Sequence, residues 1–134
     1  MKRQFVALAT DDKNVVMWDM DSLLADYEGQ CYITVNTDLL VPKNWLNIDK
    51  EYALTTDVTC PLILFEIPEQ SLFIADGNHR LYRAMTEHVQ MMNVIIIPEK
   101  VHLSYLYECS VDHYYKVIKG LKNEEIFIKN FKHK

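Results

Sequence analysis

The chain has 134 residues, of which 49% are hydrophobic and 25% charged, as in one ordinary folded domain. Its formal net charge of −5 disfavours nucleic-acid binding over the whole surface, because an acidic surface repels the phosphate backbone. The longest aliphatic run, residues 94–97, is far too short to span a bilayer, and the apolar run 5–9 ends too early for a secretory signal. We therefore expect one domain over 1–134, cytoplasmic and without membrane contact.

The cysteines indicate neither a disulfide framework nor a zinc site. Cys31, Cys60 and Cys109 are odd in number, far apart and form no Cys-x-x-Cys pair. We expect mostly buried thiols in a reducing compartment.

The first predicted elements are short. Residues 14–18 are apolar and β-branched and predict a strand. A helix is predicted over 23–27, with Asp21 or Ser22 as its N-terminal cap. Residues 31–35 combine aromatic and β-branched side chains, which favours a second strand.

Residues 36–59 carry the weakest signal in the chain. Pro42 indicates a turn and Trp45 an apolar anchor. Residues 51–54 are compatible with a single helical turn, and no other element is predicted in this segment.

A clearer pattern follows. The continuous apolar run 62–67 predicts a strand buried on both faces, and residues 72–75 predict its partner in a hairpin. Hydrophobic periodicity then predicts a helix over 78–89, and the apolar run 93–97 predicts another strand. Strand, helix and strand in this order form a βαβ unit, which would be right-handed if its two strands are parallel.

The C-terminal part predicts helices at 101–109, 111–120 and 123–131. The expected fold is therefore α+β, a small mixed β-sheet with a helical C-terminus. Residues 113–134 hold six lysines and two glutamates, whereas the rest of the chain is acidic. This lysine-rich end could contact DNA or an acidic protein partner, or it could be a solvated helix face with a frayed end.

The break between strand and helix at 76–80 concentrates polar side chains. Gly77 permits backbone conformations that other residues avoid, and the helix that follows offers free N–H groups and a positive dipole end. Arg80 adds a fixed positive charge, while Asn78 and His79 add hydrogen-bonding groups. This combination indicates a site for a phosphate or another anion.

Asp76 could hold a hydroxyl or a metal-bound water at this break, and Asp76 and His79 are the candidate catalytic residues. The candidate phosphate-binding residues are Gly77, Asn78, His79, Arg80 and Arg83. Arg83 belongs to this set because its spacing puts it on a helix face with His79 or Arg80. No residue cluster predicts a metal held by the protein alone.

Each of these residues also has a structural alternative. Asp76 could only cap the helix, and His79 could be a core histidine bonded to a backbone carbonyl. Arg80 and Arg83 could pair with carboxylates, Arg83 with Glu87 for instance.

Residues 74–84 resemble the signature of the ParB/sulfiredoxin-like superfamily, in which a strand leads into a Gly-x-x-Arg turn at a helix N-terminus. The likeness is clearest over 58–98, where the preceding hairpin and the following apolar strand keep the family's order. It implies an α+β fold with a nucleotide phosphate site at the turn. Family members bind ATP or CTP for hydrolysis, sulfinate reduction or phosphorylation of serine.

The differences from the family narrow the expected activity. Sulfiredoxins place a cysteine before the His-Arg pair, where this chain has Asn78, and partition proteins carry Gly-Glu-Arg-Arg at the turn. We expect a small nucleotide-binding protein, either a phosphotransferase or a nucleotide hydrolase, with Mg²⁺ bridging phosphate oxygens. The alternatives are a non-catalytic interaction or inhibitor module, from a mobile element for instance, and a ParB-like nuclease.

Overall fold

The computed structural model describes residues 4–9, 14–27, 32–42, 45, 48–68, 72–120 and 127–132. Within them, two β-sheets and five α-helices form an α+β fold, the class that the sequence predicts, although the sequence predicts one sheet and the structure has two. The strands are β1 (Gln4–Ala9), β2 (Val15–Asp19), β3 (Ile33–Asn36), β4 (Leu62–Phe65), β5 (Phe73–Asp76), β6 (Met91–Ile97) and β7 (Phe127–Lys132). The helices are α1 (Met20–Tyr27), α2 (Lys50–Ala53), α3 (Asn78–Thr86), α4 (Glu99–His102) and α5 (Val111–Gly120).

The first sheet has the strand order β2-β1-β7, with both pairings antiparallel. Phe5 pairs with Asp19 on one side of β1, and Gln4 pairs with Lys132 on the other. Residues 5–8 of this central strand are buried. The N-terminal apolar run is thus a core strand, which the sequence pattern does not predict.

Strand β7 shows that the helix predicted at 123–131 is wrong. Residues 127–132 pair with β1 along its whole length, while 123–126 lie outside the described residues. Phe127 and Ile128 belong to the aromatic and β-branched types that fit a strand. Pairing with a distant strand is a tertiary interaction that overrides local helical periodicity.

The second sheet has the order β3-β6-β4-β5. Strand β4 pairs antiparallel with β5, which confirms the predicted hairpin, and parallel with β6. Strands β5 and β6, which flank α3, therefore run in opposite directions with β4 between them. The predicted βαβ unit, β5-α3-β6, is therefore not a parallel crossover. The parallel pair in this sheet is β4 and β6.

Helix α1 begins earlier than predicted. The Asp19 carboxylate accepts a hydrogen bond from the Ser22 N–H at 3.2 Å, so the acidic residue at its start is Asp19. Asp21 and Ser22, the predicted caps, lie inside the first turn.

The helix predicted at 101–109 is shorter. Helix α4 passes into a 3₁₀ turn at Leu103–Tyr105, and Leu106 then forms a β-bridge with Trp18. The helical conformation therefore ends before Leu106, which pairs with the first sheet. Helices α2 and α5 lie close to their predicted positions, and α3 ends at Thr86.

Strand β4 is buried on both faces, as its sequence predicts. Leu62 and Leu64 belong to one hydrophobic cluster, which also contains Leu81 of α3. Ile63 and Phe65 point to the other side and join a larger cluster that contains the first sheet and α5. One strand thus supports both the helix of the candidate site and the main core.

A polar side chain lies inside the larger cluster. His102 has no exposed surface, stacks on Phe65 with ring centroids 4.6 Å apart, and accepts a hydrogen bond at Nδ1 from Trp18 Nε1 at 3.3 Å. Because an indole N–H only donates, the imidazole proton lies on Nε2, which donates to the Glu66 carbonyl at 2.9 Å. Burial lowers the pKa of His102, so the ring is held neutral.

Cys60 contradicts the expectation of buried thiols, because it is exposed, with its Sγ 3.7 Å from Asp57 Oδ2. Cys109 is partly buried and, like Cys60, free, and Cys31 lies outside the described residues. Among the described helices, none has the length and apolar character needed to cross a membrane.

Candidate functional site

The polar break predicted at 76–80 is the junction between β5 and α3. Strand β5 ends at Asp76, Gly77 occupies the N-cap position, and Asn78, which is partly buried, is the first helical residue. The first intrahelical bond runs from the Leu81 N–H to the Gly77 carbonyl at 2.9 Å. The N–H groups of residues 78–80 therefore have no acceptor within the helix.

Gly77 is required here by both backbone and space. Its φ of +106° lies in the left-handed region. A Cβ at this position would lie 2.9 Å from Arg80 Nη2 and would overlap the Leu62 side chain. The close approach that glycine permits is thus used, in this structure, by the guanidinium of Arg80 and by the core.

Arg80 lies back over the turn and pairs with the residue that ends the strand. Its Nη2 donates to Asp76 Oδ2 at 2.9 Å, and the two side chains are 19% and 23% exposed. Its Nε is buried and has no hydrogen-bond partner among the described residues. Asp76 uses only part of the guanidinium fork, which leaves one inward N–H donor unsatisfied.

His79 and Arg83 share a helix face, as predicted, and both contact the segment that precedes β4. His79 Nε2 accepts a hydrogen bond from the Asp49 N–H at 3.1 Å. Arg83 Nη1 donates to the Thr56 carbonyl, while its Nε donates to Glu87 Oε2 at 2.8 Å. In this arrangement His79 Nε2 is an acceptor, and both side chains hold the neighbouring segment in place.

The segment so held contains residues that the sequence pattern leaves unassigned. Asp49 Oδ1 accepts hydrogen bonds from the N–H groups of Glu51 and Tyr52 and caps α2. The Tyr52 ring lies edge-on to His79, with centroids 4.9 Å apart. An aspartate directly before a possible helical turn is a cap signal that could have located α2, but its contact with α3 has no local signal.

Asp57 adds a second carboxylate near Arg80. It accepts hydrogen bonds from the Thr59 N–H at 2.9 Å and from the Thr59 hydroxyl at 2.6 Å. These bonds lower the pKa of the Asp57 carboxyl, and the positive charge of Arg80 lowers it further. Two acidic residues, Asp57 and Asp76, thus share the field of one arginine.

No match to this chain was found among protein-family models, curated proteins or solved structures. The superfamily resemblance of residues 74–84 stays a prediction, and the function has to be argued from the geometry of the turn.

Some of the structural alternatives are present in the fold. Arg83 pairs with Glu87, as that alternative predicts, and Arg80 pairs with Asp76. Asp76 is not the N-cap, because Gly77 occupies that position. His79 is only partly buried, and Asp49 donates to its Nε2 through a backbone N–H.

The predicted residues 76–80 are therefore adjacent at one end of a buried strand, and Arg83 lies one turn further along α3. The described residues contain no group of three or more His, Cys, Asp or Glu that could hold a metal ion. What the turn offers is a helix N-terminus, a guanidinium with an unused donor and a carboxylate within hydrogen-bonding distance of it. These groups can bind an anion and accept a proton beside it.

Proposed function

We propose that this chain binds a nucleotide through its phosphates at the N-terminus of helix α3, as the resemblance to the ParB/sulfiredoxin-like superfamily implies. The observation that carries this proposal is the buried Nε of Arg80, which has no hydrogen-bond partner among the described residues. A buried donor without a partner costs about 1–3 kcal/mol. A rotation of the guanidinium that brings this N–H to a phosphate oxygen at the turn would satisfy the donor and share the positive charge.

The surroundings of Arg80 support an anionic ligand. The helix dipole attracts negative charge to the same end of α3, where the N–H groups of the first turn point away from the helix. Asp76 offsets part of the arginine charge at present, with its Oδ2 2.9 Å from Nη2. Binding of a phosphate requires the guanidinium to bridge the carboxylate and the ligand, which the free Nε allows.

The reaction that fits these groups is transfer or hydrolysis of a terminal phosphoryl group. Asp76 is the candidate base that accepts the proton of the attacking hydroxyl or water, and Arg80 stabilises charge on the phosphoryl oxygens. Mg²⁺, when bound, would be held by Asp57, or by Asp76 if that carboxylate is not the base, and would neutralise phosphate charge.

Titration calorimetry with ATP, CTP and their diphosphates, with and without Mg²⁺, tests the binding. We expect Arg80→Ala to weaken the affinity by about 1.5–3 kcal/mol, because it removes a charged hydrogen bond and the fixed charge. Lys100→Ala is the control, since it removes the same charge from an exposed position on α4 and should leave binding unchanged. Failure of the wild-type chain to bind any of these nucleotides at millimolar concentration would contradict the proposal.

A separate assay of phosphate release tests the catalytic role of Asp76. We expect Asp76→Asn to reduce turnover by about 100-fold or more, the usual contribution of a general base, while nucleotide affinity is kept or rises because the carboxylate no longer offsets the charge of Arg80. Asp112→Asn is the control, because it makes the same change at an exposed position on α5. Binding without any turnover in the wild-type chain would instead favour a non-catalytic nucleotide-dependent module.

A further inference from the structure

An exposed aromatic ring lies beside the proposed phosphate site. The side chain of Tyr52 on α2 is 43% exposed, although its ring contacts His79 at 4.9 Å. The two rings meet in a T-shaped arrangement, with an angle of 77° between their planes. His79 belongs to the first turn of α3, so one side chain separates this ring from the proposed phosphate ligands.

Tyr52 is held in this position from several sides. The Asp49 carboxylate accepts from the Tyr52 N–H at 3.0 Å, and the Asp49 N–H donates in turn to His79 at 3.1 Å. Four residues further along, Arg83 of α3 binds the Thr56 carbonyl. Helix α3 thus anchors both ends of the short segment that carries the ring. A ring anchored in this way loses little conformational freedom when a ligand packs on it.

We propose that Tyr52 stacks the base of the nucleotide whose phosphates bind at α3, an inference that rests on the function proposed above. The unsatisfied Arg80 Nε and the first turn of α3 take the phosphates, and the exposed ring of Tyr52 takes the base. Aromatic rings stack on bases of any sequence because every base has a π-face. The site therefore selects nucleoside phosphates over inorganic polyphosphate and discriminates only weakly among bases.

The chemistry of the surrounding residues favours a base over a second anionic group at this position. Glu51 is the neighbour of Tyr52 on α2, and Asp49 caps the same helix. Two carboxylates in the segment that carries the ring repel a further phosphate, whereas a neutral base does not meet this repulsion. A stacked base also needs no hydrogen-bond donor from the protein to gain affinity.

The test compares ATP with inorganic tripolyphosphate on the same protein. Tyr52→Leu should weaken ATP binding by roughly 5- to 150-fold, the value of one stacked base, and leave tripolyphosphate binding unchanged. Tyr52→Phe keeps the ring and should bind ATP like the wild type. Tyr115→Leu is the matched control, because Tyr115 on α5 is similarly exposed, at 45%, and the substitution should affect neither ligand.

The outcomes separate this inference from the proposed function. If the wild type binds both ligands and Tyr52→Leu weakens neither, or weakens both equally, the ring does not stack a base, while the phosphate site stands. If the wild type binds neither ligand, the phosphate site fails and the base site fails with it. Selective loss of ATP binding in Tyr52→Leu, with a circular dichroism spectrum like that of the wild type, supports a base on Tyr52.

Discussion

Replacement of Gly77 by alanine is expected to lower the free energy of unfolding by about 2–6 kcal/mol. A φ of +106° strains any residue with a Cβ, at a cost of about 1–3 kcal/mol. The added methyl would also overlap Leu62, which is fully buried, and lie 2.9 Å from Arg80 Nη2. Relief of that overlap requires movement of a core side chain or of the guanidinium, and overpacking of this kind costs about 1–3 kcal/mol.

Urea unfolding of the two chains measures this difference, and Gly120→Ala is its control. Gly120 is the last residue of α5, and among the described residues no atom outside its chain neighbours and its own helix backbone lies within 4 Å of the position that its Cβ would take. Because alanine favours a helix over glycine, this control should leave stability unchanged or raise it by up to about 1 kcal/mol. Equal stabilities of the two variants would show that the Gly77 turn relaxes without strain.

The elements that the sequence predicts correctly have a local cause. Strand β4 is a continuous apolar run and is buried on both faces, and the hairpin with β5 follows from its spacing. The break at Gly77 and the start of α3 follow from residue types that stop a strand and start a helix. In each case the chemistry of adjacent residues is sufficient.

The elements that differ from the prediction have a distant cause. Strand β1 lies between β2 and β7, and β7 comes from the other end of the chain. Residues 127–132 have no local property that excludes a helix, and their pairing partner is more than a hundred residues away. Competition of this kind between local propensity and tertiary pairing cannot be resolved from one sequence.

The contacts of the candidate site likewise include some that local spacing predicts and others that depend on tertiary packing. The pair of Arg83 with Glu87 follows from a spacing of four in a helix, and the sequence predicts it. The contacts of His79 with Asp49 and of Arg83 with Thr56 join residues about thirty positions apart. They follow from the way α3 packs against residues 49–56, which hydrophobic periodicity does not reveal.

The second large effect is expected at His102. His102→Leu should lower stability at pH 7.5 by about 1.5–4.5 kcal/mol, because it leaves the buried Trp18 N–H without a partner, at about 1–3 kcal/mol, and removes the hydrogen bond to the Glu66 carbonyl, at about 0.5–1.5 kcal/mol. It also removes the stacked contact with Phe65. Urea unfolding followed by the fluorescence of the buried Trp18 measures the loss.

The same histidine makes stability depend on pH. Burial lowers the pKa of His102 below its unfolded value of 6.5, and the Glu66 carbonyl and the Glu99 charge offset only part of this. Above pH 6.5 the ring is neutral in both states, whereas below it the unfolded chain takes up a proton that the folded chain excludes. The free energy of unfolding therefore decreases as the pH is lowered below 6.5. This group contributes up to about 1.4 kcal/mol per pH unit to the decrease.

The pH dependence of stability shows whether His102 stays neutral in the folded core or takes up a proton there. The stability difference between wild type and His102→Leu should narrow as the pH falls from 7.5 to 5, because only the wild type loses stability through His102. His88→Asn, at an exposed position with a φ of +57° that asparagine tolerates, should keep the wild-type slope. A constant difference would mean that the folded core accepts the proton, which the Trp18 N–H donating into Nδ1 at 3.3 Å opposes.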